Sequence, residues 1–234
     1  MNGTETQIQM QKFLQTFMSR GILNAKEVKN LRQEIGVHAE SNDDLIRFVQ
    51  AANEAIAPFN LEIRKGVQED DGAHFYCLVN TVETSLTRLS STYTPNELEL
   101  FKKLVEKIVD TDDGKMGSLA ALSLTDKLDK KMGKEEGQDF FNRLERDKWI
   151  KKDTDGKISL SVRSILELEQ YLKDMYPEFI KLCNICSKIC LLGETCANCG
   201  IKLHLKCANN LFSKQGSEKK CPARDCSATW GSIE

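Results

Sequence analysis

The last fifth of the chain carries four spaced pairs of metal-binding side chains: Cys183 with Cys186, Cys196 with Cys199, His204 with Cys207, and Cys221 with Cys226. No other feature restricts so severely what the chain can fold into. Two ligands separated by two residues on a tight turn aim at one ion, and all but the last pair have that spacing. Eight donors complete two tetrahedral sites. Thiolates and an imidazole suit zinc, whereas calcium and magnesium select oxygen donors, so two Zn2+ ions are expected.

A disulfide framework is the competing use of densely paired cysteines. It fits poorly, because the total of nine cysteines is odd and the opening MNGTETQIQM lacks the basic start and apolar run of a secretory signal. No stretch reads as a membrane span. Reduced thiols in cytosol or nucleus are therefore expected, with no membrane contact. From Cys183 to Cys226 there are seven Lys or Arg and three Asp or Glu; seven thiolates and two divalent ions bring that segment close to neutrality. Its few large apolar side chains leave metal binding to supply most of its folding free energy.

The ligand order allows two connectivities. In a cross-brace, site one is Cys183, Cys186, His204 and Cys207, and site two is Cys196, Cys199, Cys221 and Cys226. Consecutive fingers are the alternative, although residues 196–207 leave little room for an independent core in each. Cys190, inside the first loop, reads as a spare or packing thiol. Cys77 and Trp149 read as core, Trp230 as a cover on the apolar side of the zinc knuckles, and His38 and His74 as surface or turn residues.

Upstream, the hydrophobic pattern repeats. Met10, Phe13, Leu14, Phe17 and Met18 form a helical stripe; Asn24 with Glu27 makes a capping box ahead of Val28, Leu31 and Ile35. Residues Ser41 to Asp43 can cap a third helix bearing Leu45, Val49, Ala52 and Ile56, which Pro58 stops. LEIRK, QEDDG and AHFYCLVN then read as a hairpin with an Asp-Gly turn. The same order returns. Thr94-Pro95 with Glu97 opens a helix bearing Leu98, Phe101, Leu104, Val105 and Ile108, Ser118 starts a short one, and residues 134–148 make a third. WIKKDTDGKISLS makes the second hairpin, and a closing helix carries Val162, Ile165, Leu168 and Leu172 towards Pro177.

Three helices and a two-stranded wing, twice over, predict a mainly α chain with small β-hairpins: tandem winged-helix domains followed by a cross-braced two-zinc module. A generic helical bundle with incidental hairpins also satisfies the periodicity. The expected boundaries are 1–90, 91–178 and 179–234. Residues Lys134 to Lys157 hold seven basic and seven acidic side chains, and the whole chain has a net charge of −2. That balance argues for protein contact and, for DNA, a weak or indirect association. Phosphate-binding glycine loops, nucleophile elbows and HExxH helices are absent, which leaves kinase, hydrolase and protease readings without support.

The ligand order with histidine fifth, Ile185 between the first two ligands and Pro222 directly after the seventh resembles a variant RING domain. Two winged helices followed by such a RING resemble, over essentially the whole chain, the first non-SMC element subunits of the five/six complex of structural-maintenance-of-chromosomes (SMC) proteins. That resemblance implies a nuclear, chromatin-associated DNA-repair subunit. It implies partners too: a MAGE-family subunit bound through the winged helices, the kleisin of the same complex, and a ubiquitin-conjugating enzyme recruited by the RING for ligase activity. Ile185 and Pro222 would lie on the recruiting face, with Leu211 and Phe212 in its apolar groove. The last two ligands are four residues apart where a RING usually has two, and Ser227 and Ala228 stand where active RINGs often place a basic residue, which Arg224 would replace. Weak ligase activity without the MAGE partner is the expectation. A PHD-like peptide reader and a non-catalytic interaction module are the other uses of this ligand order.

Overall fold

The computed structural model describes residues 3–37, 42–82, 92–215 and 219–230. Helix α1 (Gly3–Arg20) buries Phe13 and Phe17 completely. Met18, expected on that stripe, is 58 % exposed, because one residue beyond Phe17 turns about 100° round the helix. Gly21 ends α1 with φ +72° and an N–H bond to the Phe17 carbonyl at 2.8 Å, a left-handed stop that favours glycine. Strand β1 (Ile22–Asn24) follows, too short for periodicity to reveal. Asn24 then caps α2 (Ala25–Glu34): its side chain accepts the Glu27 N–H at 2.9 Å while the Glu27 carboxylate accepts the Asn24 N–H at 2.7 Å. Helix α3 (Asn42–Ile56) buries Val49, Ala52 and Ile56 and runs into a 3-10 turn, Ala57–Phe59, that contains Pro58. The expected Ser41 cap and His38 lie outside the described residues. Strands β2 (Leu61–Val67) and β3 (His74–Asn80) form the wing, and β1 joins the far side of β3 in the order β1-β3-β2.

The second unit repeats this plan. Helix α4 (Pro95–Val109) opens on the Thr94/Glu97 capping box, β4 (Lys115–Gly117) leads into α5 (Ser118–Ser123), and α6 (Lys134–Arg146) precedes the wing strands β5 (Ile150–Lys152) and β6 (Lys157–Leu160). The sheet order β4-β6-β5 matches that of the first unit. Both units are winged helices. Phe101, Leu104, Ile108, Phe140, Phe141 and Trp149 fill the second core, and Cys77 is fully buried at the first sheet.

The expected closing helix is two helices, α7 (Val162–Glu167) and α8 (Glu169–Met175), broken at Leu168. Helix α7 bridges the two units, with Ile165 packed against the second core. Leu168 and Leu172 enter the second core, while Val162 and Leu166 of α7 pack with Ile22, Phe75, Cys77 and Val79 on the first sheet. Contact there is so close that a Cβ on Gly66 would stand 2.4 Å from Val162 Cγ2. After Leu182 the chain forms the cysteine-rich module, with strands β7 (Glu194–Thr195) and β8 (Lys202–Leu203) and helix α9 (Leu205–Phe212). No described helix is long and apolar enough to cross a membrane.

Candidate metal centre

Each ligand pair is set by a local backbone device. The Cys183 carbonyl accepts the Ser187 N–H at 2.8 Å, and Ser187 takes φ +56°. Thirteen residues on, the Cys196 carbonyl accepts the Gly200 N–H at 2.9 Å, and Gly200 takes φ +72°. These two Cys-x-x-Cys turns are thus the same knuckle, each closed by a left-handed residue just past its second cysteine. His204 and Cys207 straddle the first turn of α9. The last pair is held by N–H bonds from Cys221 to the Ala228 carbonyl at 3.0 Å and from Cys226 to the Ala223 carbonyl at 3.2 Å, so the enlarged spacer is taken up by a turn.

Chain folding interleaves the pairs. The donor atoms of Cys183, Cys186, His204 and Cys207 lie within 4.8 Å of one another, as do those of Cys196, Cys199, Cys221 and Cys226. These are the two groups expected of a cross-brace. In the second, sulfur separations of 3.6 Å (Cys199 to Cys221) and 3.9 Å (Cys196 to Cys226) match the ~3.8 Å edge of a tetrahedron built on Zn–S bonds of about 2.3 Å. In the first, His204 Nδ1 lies 3.3 Å from Cys186 Sγ and 3.9 Å from Cys207 Sγ. Donor chemistry and spacing both fit zinc.

Electrostatics make the same point. Burial works against ionising Cys183, but the N–H groups of Cys186, His204 and Ile185 outweigh it and bring its pKa to about 6. Asn198, which donates to Cys226 Sγ at 3.4 Å, helps bring that thiol to about 6 as well. Their neighbours go the other way: burial and the sulfurs of Cys183 and Cys186 hold Cys207 at about 11, and burial with Cys196, Cys199 and Cys226 beside it pushes Cys221 up to about 12. Four sulfurs this close cannot all be anionic without a cation among them.

The other ring nitrogen of His204 leads out of the module. Nε2 lies 2.9 Å from the Ile189 carbonyl and 3.0 Å from a carboxylate oxygen of Glu69, a buried residue of the turn between β2 and β3. Glu69 also accepts the N–H groups of Leu191 at 2.9 Å and Leu192 at 3.2 Å. Burial opposes a charged imidazole, yet Cys190 and Glu69 beside it raise its basicity. A carboxylate behind a ligating histidine orients the ring and strengthens its donor nitrogen. Here that carboxylate comes from the first winged helix.

Glu69 was not legible in the sequence, where it sits in the polar run QEDDG with nothing to mark it as buried. Lys202 was also missed: it is buried, its pKa is lowered by that burial, and its Nζ donates to the carbonyls of Asp112 at 2.9 Å and Leu191 at 2.7 Å. Cys190 is buried within the module core, its thiol 3.5 Å from the Leu192 carbonyl. Trp230 packs on Phe212 with ring centroids 5.3 Å apart and donates to Glu194 at 2.6 Å. Of the expected docking residues, Ile185 is 46 % exposed, while Pro222 and Leu211 are partly buried. Phe212 departs from expectation: its ring is buried against Trp230, as the core of so small a module requires. His74 is half-buried at the start of β3, 3.4 Å from Lys206 Nζ.

Comparison with known proteins gives a consistent picture. The family model described as the Nse1 non-SMC component of the SMC5-6 complex matches residues 10–125 and 117–168, and a RING-like domain model matches residues 183–229. The non-structural maintenance of chromosomes element 1 homologues of Bos taurus and Homo sapiens are 37 % and 36 % identical over 223 residues, covering 94 % of this chain and 82 % of each relative. The Schizosaccharomyces pombe protein of that name is 27 % identical over 202 residues, 85 % of this chain and 84 % of its own. A solved chain from an Nse1-Nse3-Nse4 complex superposes with a TM-score of 0.85 at 38 % identity, covering 97 % of this chain and 98 % of that one.

Proposed function

The chain belongs to the Nse1 family of non-SMC components of the SMC5-6 complex, and from that premise we propose that it is the RING-type ubiquitin ligase subunit of such a complex. In this reading residues 1–90 and 91–178 dock on a MAGE-family Nse3 subunit and the kleisin Nse4, residues 179–234 recruit a ubiquitin-conjugating enzyme, and the assembly works on nuclear chromatin in DNA repair. Cys183, Cys186, His204 and Cys207 hold one Zn2+, and Cys196, Cys199, Cys221 and Cys226 hold the other. Zinc supplies closure of the loops and no reaction chemistry.

The observation that carries the reading is the exposed apolar side chain of Ile185, presented between the first two ligands of an interleaved eight-donor module. Pro222 and Leu211, both partly buried, complete the proposed docking face. No side chain of the module attacks the thioester; the gain is orientation of the charged conjugating enzyme towards a lysine, an effect of proximity. DNA contact is weak and salt-sensitive in this reading.

A reconstituted ubiquitination assay with and without the Nse3-type subunit tests it. Transfer is expected to be slow alone and faster with the partner, and Ile185→Ala is expected to reduce it while zinc content and partner binding stay intact. Transfer that ignores both Ile185→Ala and Cys183→Ser would favour the second reading, a non-catalytic interaction module. Inward-facing Phe212 and the Ser227 and Ala228 that follow the last ligand support that alternative.

A further inference from the structure

Strand β2 is an edge of the first sheet. At Ile63 that edge is closed, because the Asn53 side chain accepts the Ile63 N–H at 2.7 Å and donates to its carbonyl at 3.1 Å. Backbone groups of a strand alternate in direction. The N–H and C=O of Lys65 and Val67 therefore lie on the same outer edge as those of Ile63, and among the described residues nothing takes them. Next to this edge is a cavity of about 590 Å3, walled by Val162 and Leu166 of α7 and by Ile189 and Asn210 of the cysteine-rich module.

Two further observations say what belongs there. Gln68, only 4 % exposed, lines the cavity; its Oε1 accepts the Val162 N–H at 2.9 Å, but its Nε2 has no hydrogen-bond partner. A buried amide donor left unpaired is costly and marks a place for an incoming acceptor. Not every cation there has a carboxylate partner. Arg64 is engaged by Glu62 at 2.8 Å and Glu169 at 3.6 Å, and Glu69 by His204. Lys65, Lys188 and Lys206 line the same cavity, and no carboxylate of the described residues pairs with them.

We propose that the outer edge of β2 receives an extended acidic peptide segment of a partner protein as an added strand, held between the first wing and the zinc module. Strand addition takes its affinity from main-chain bonds to an open edge and its selectivity from flanking side chains. Lys65 and Val67 supply the edge, Gln68 Nε2 supplies a donor for a carbonyl of the added strand, and the three lysines select carboxylates. The ligase reading is not required for this.

The test uses the full metal-loaded chain and fluorescent peptides of alternating Glu and Thr, of alternating Lys and Thr, and of the Glu sequence N-methylated at every second residue. The acidic peptide should bind at least about tenfold more tightly than either control and should protect the amides of Lys65 and Val67 from exchange. Lys65→Glu with Lys188→Glu, a surface change, should abolish that preference. Val67→Pro should weaken binding while leaving metal content unchanged. No binding at millimolar peptide, equal binding of the N-methylated peptide, or protection elsewhere in the chain would overturn the proposal. So would equal binding of oligothymidine, or a dimer of this chain that Val67→Pro dissolves, since each names a different occupant.

Discussion

At the scale of single residues, two side chains, in the turn after β2 and in the first loop of the cysteine-rich module, carry opposite expectations. Glu69 stands outside the two four-donor sets, yet it orients His204 and takes two N–H groups from Leu191 and Leu192. Outer-shell partners of this type typically change metal affinity by about 10–100-fold when mutated. Glu69→Gln should therefore speed loss of one ion of the two to a chelator by roughly tenfold and leave the other unaffected, as read by competition with a coloured metal indicator. Cys190 is the converse case. Its thiol lies close enough to Glu69 and His204 to resemble a ligand, but burial raises its pKa and it faces the Leu192 carbonyl. Cys190→Ser should keep two ions per chain by elemental analysis; a chain with one ion would show that the ligand register is wrong.

Between elements, the two wings are joined by charge. Lys151 of β5 lies 2.6 Å from Asp70 and 2.7 Å from Asp71, in the turn between β2 and β3. Burial tends to raise the Asp71 pKa, but Lys151 and the Ala73 N–H outweigh it, and the net shift is downward. A carboxyl depressed in the folded state contributes stability above its unfolded pKa and loses it as pH falls through the folded one. The contact should thus be intact at neutral pH and fade only below the ordinary aspartate range. A double-mutant cycle of Lys151→Met and Asp71→Asn, followed by urea unfolding, should give a coupling of up to about 1 kcal/mol at neutral pH, since both groups are partly exposed. The coupling should shrink towards zero in acid. A coupling that grows in acid would assign the wing contact to other groups.

Over the whole molecule, the metal module is fastened to both winged helices. Ile189 and Leu191 belong to the hydrophobic core of the second unit, Lys202 ties β8 to Asp112, and Gly114 approaches so closely that a Cβ there would stand 2.6 Å from the Leu191 carbonyl oxygen. Removing metal should therefore do more than melt residues 183–230. Hydrogen exchange after chelation should show protection lost throughout the module and reduced around Gln68 to Glu69 and Asp112 to Gly114. The core around Phe13 and Phe17 should stay protected, because it does not involve the module. Protection unchanged in both winged helices would mean that the module is only tethered to them.

What could be read without coordinates was whatever local spacing carries. The Cys-x-x-Cys and His-x-x-Cys turns point their donors inward by themselves, and the capping boxes at Asn24 and Thr94 lie three residues from their partners Glu27 and Glu97. Helical stripes such as Val49, Ala52 and Ile56 repeat at a period that only one face of a helix satisfies. The remainder depends on partners distant in sequence. Glu69 and Gln68 look like solvated turn residues, and they are buried only because the chain returns 94 residues later at Val162 and 122 residues later at Leu191 to meet them. Phe212 looked like a docking residue until Trp230 closed over it. Burial of a polar or apolar side chain at a domain junction is a property of the contact, and that contact exists only once the three units have packed.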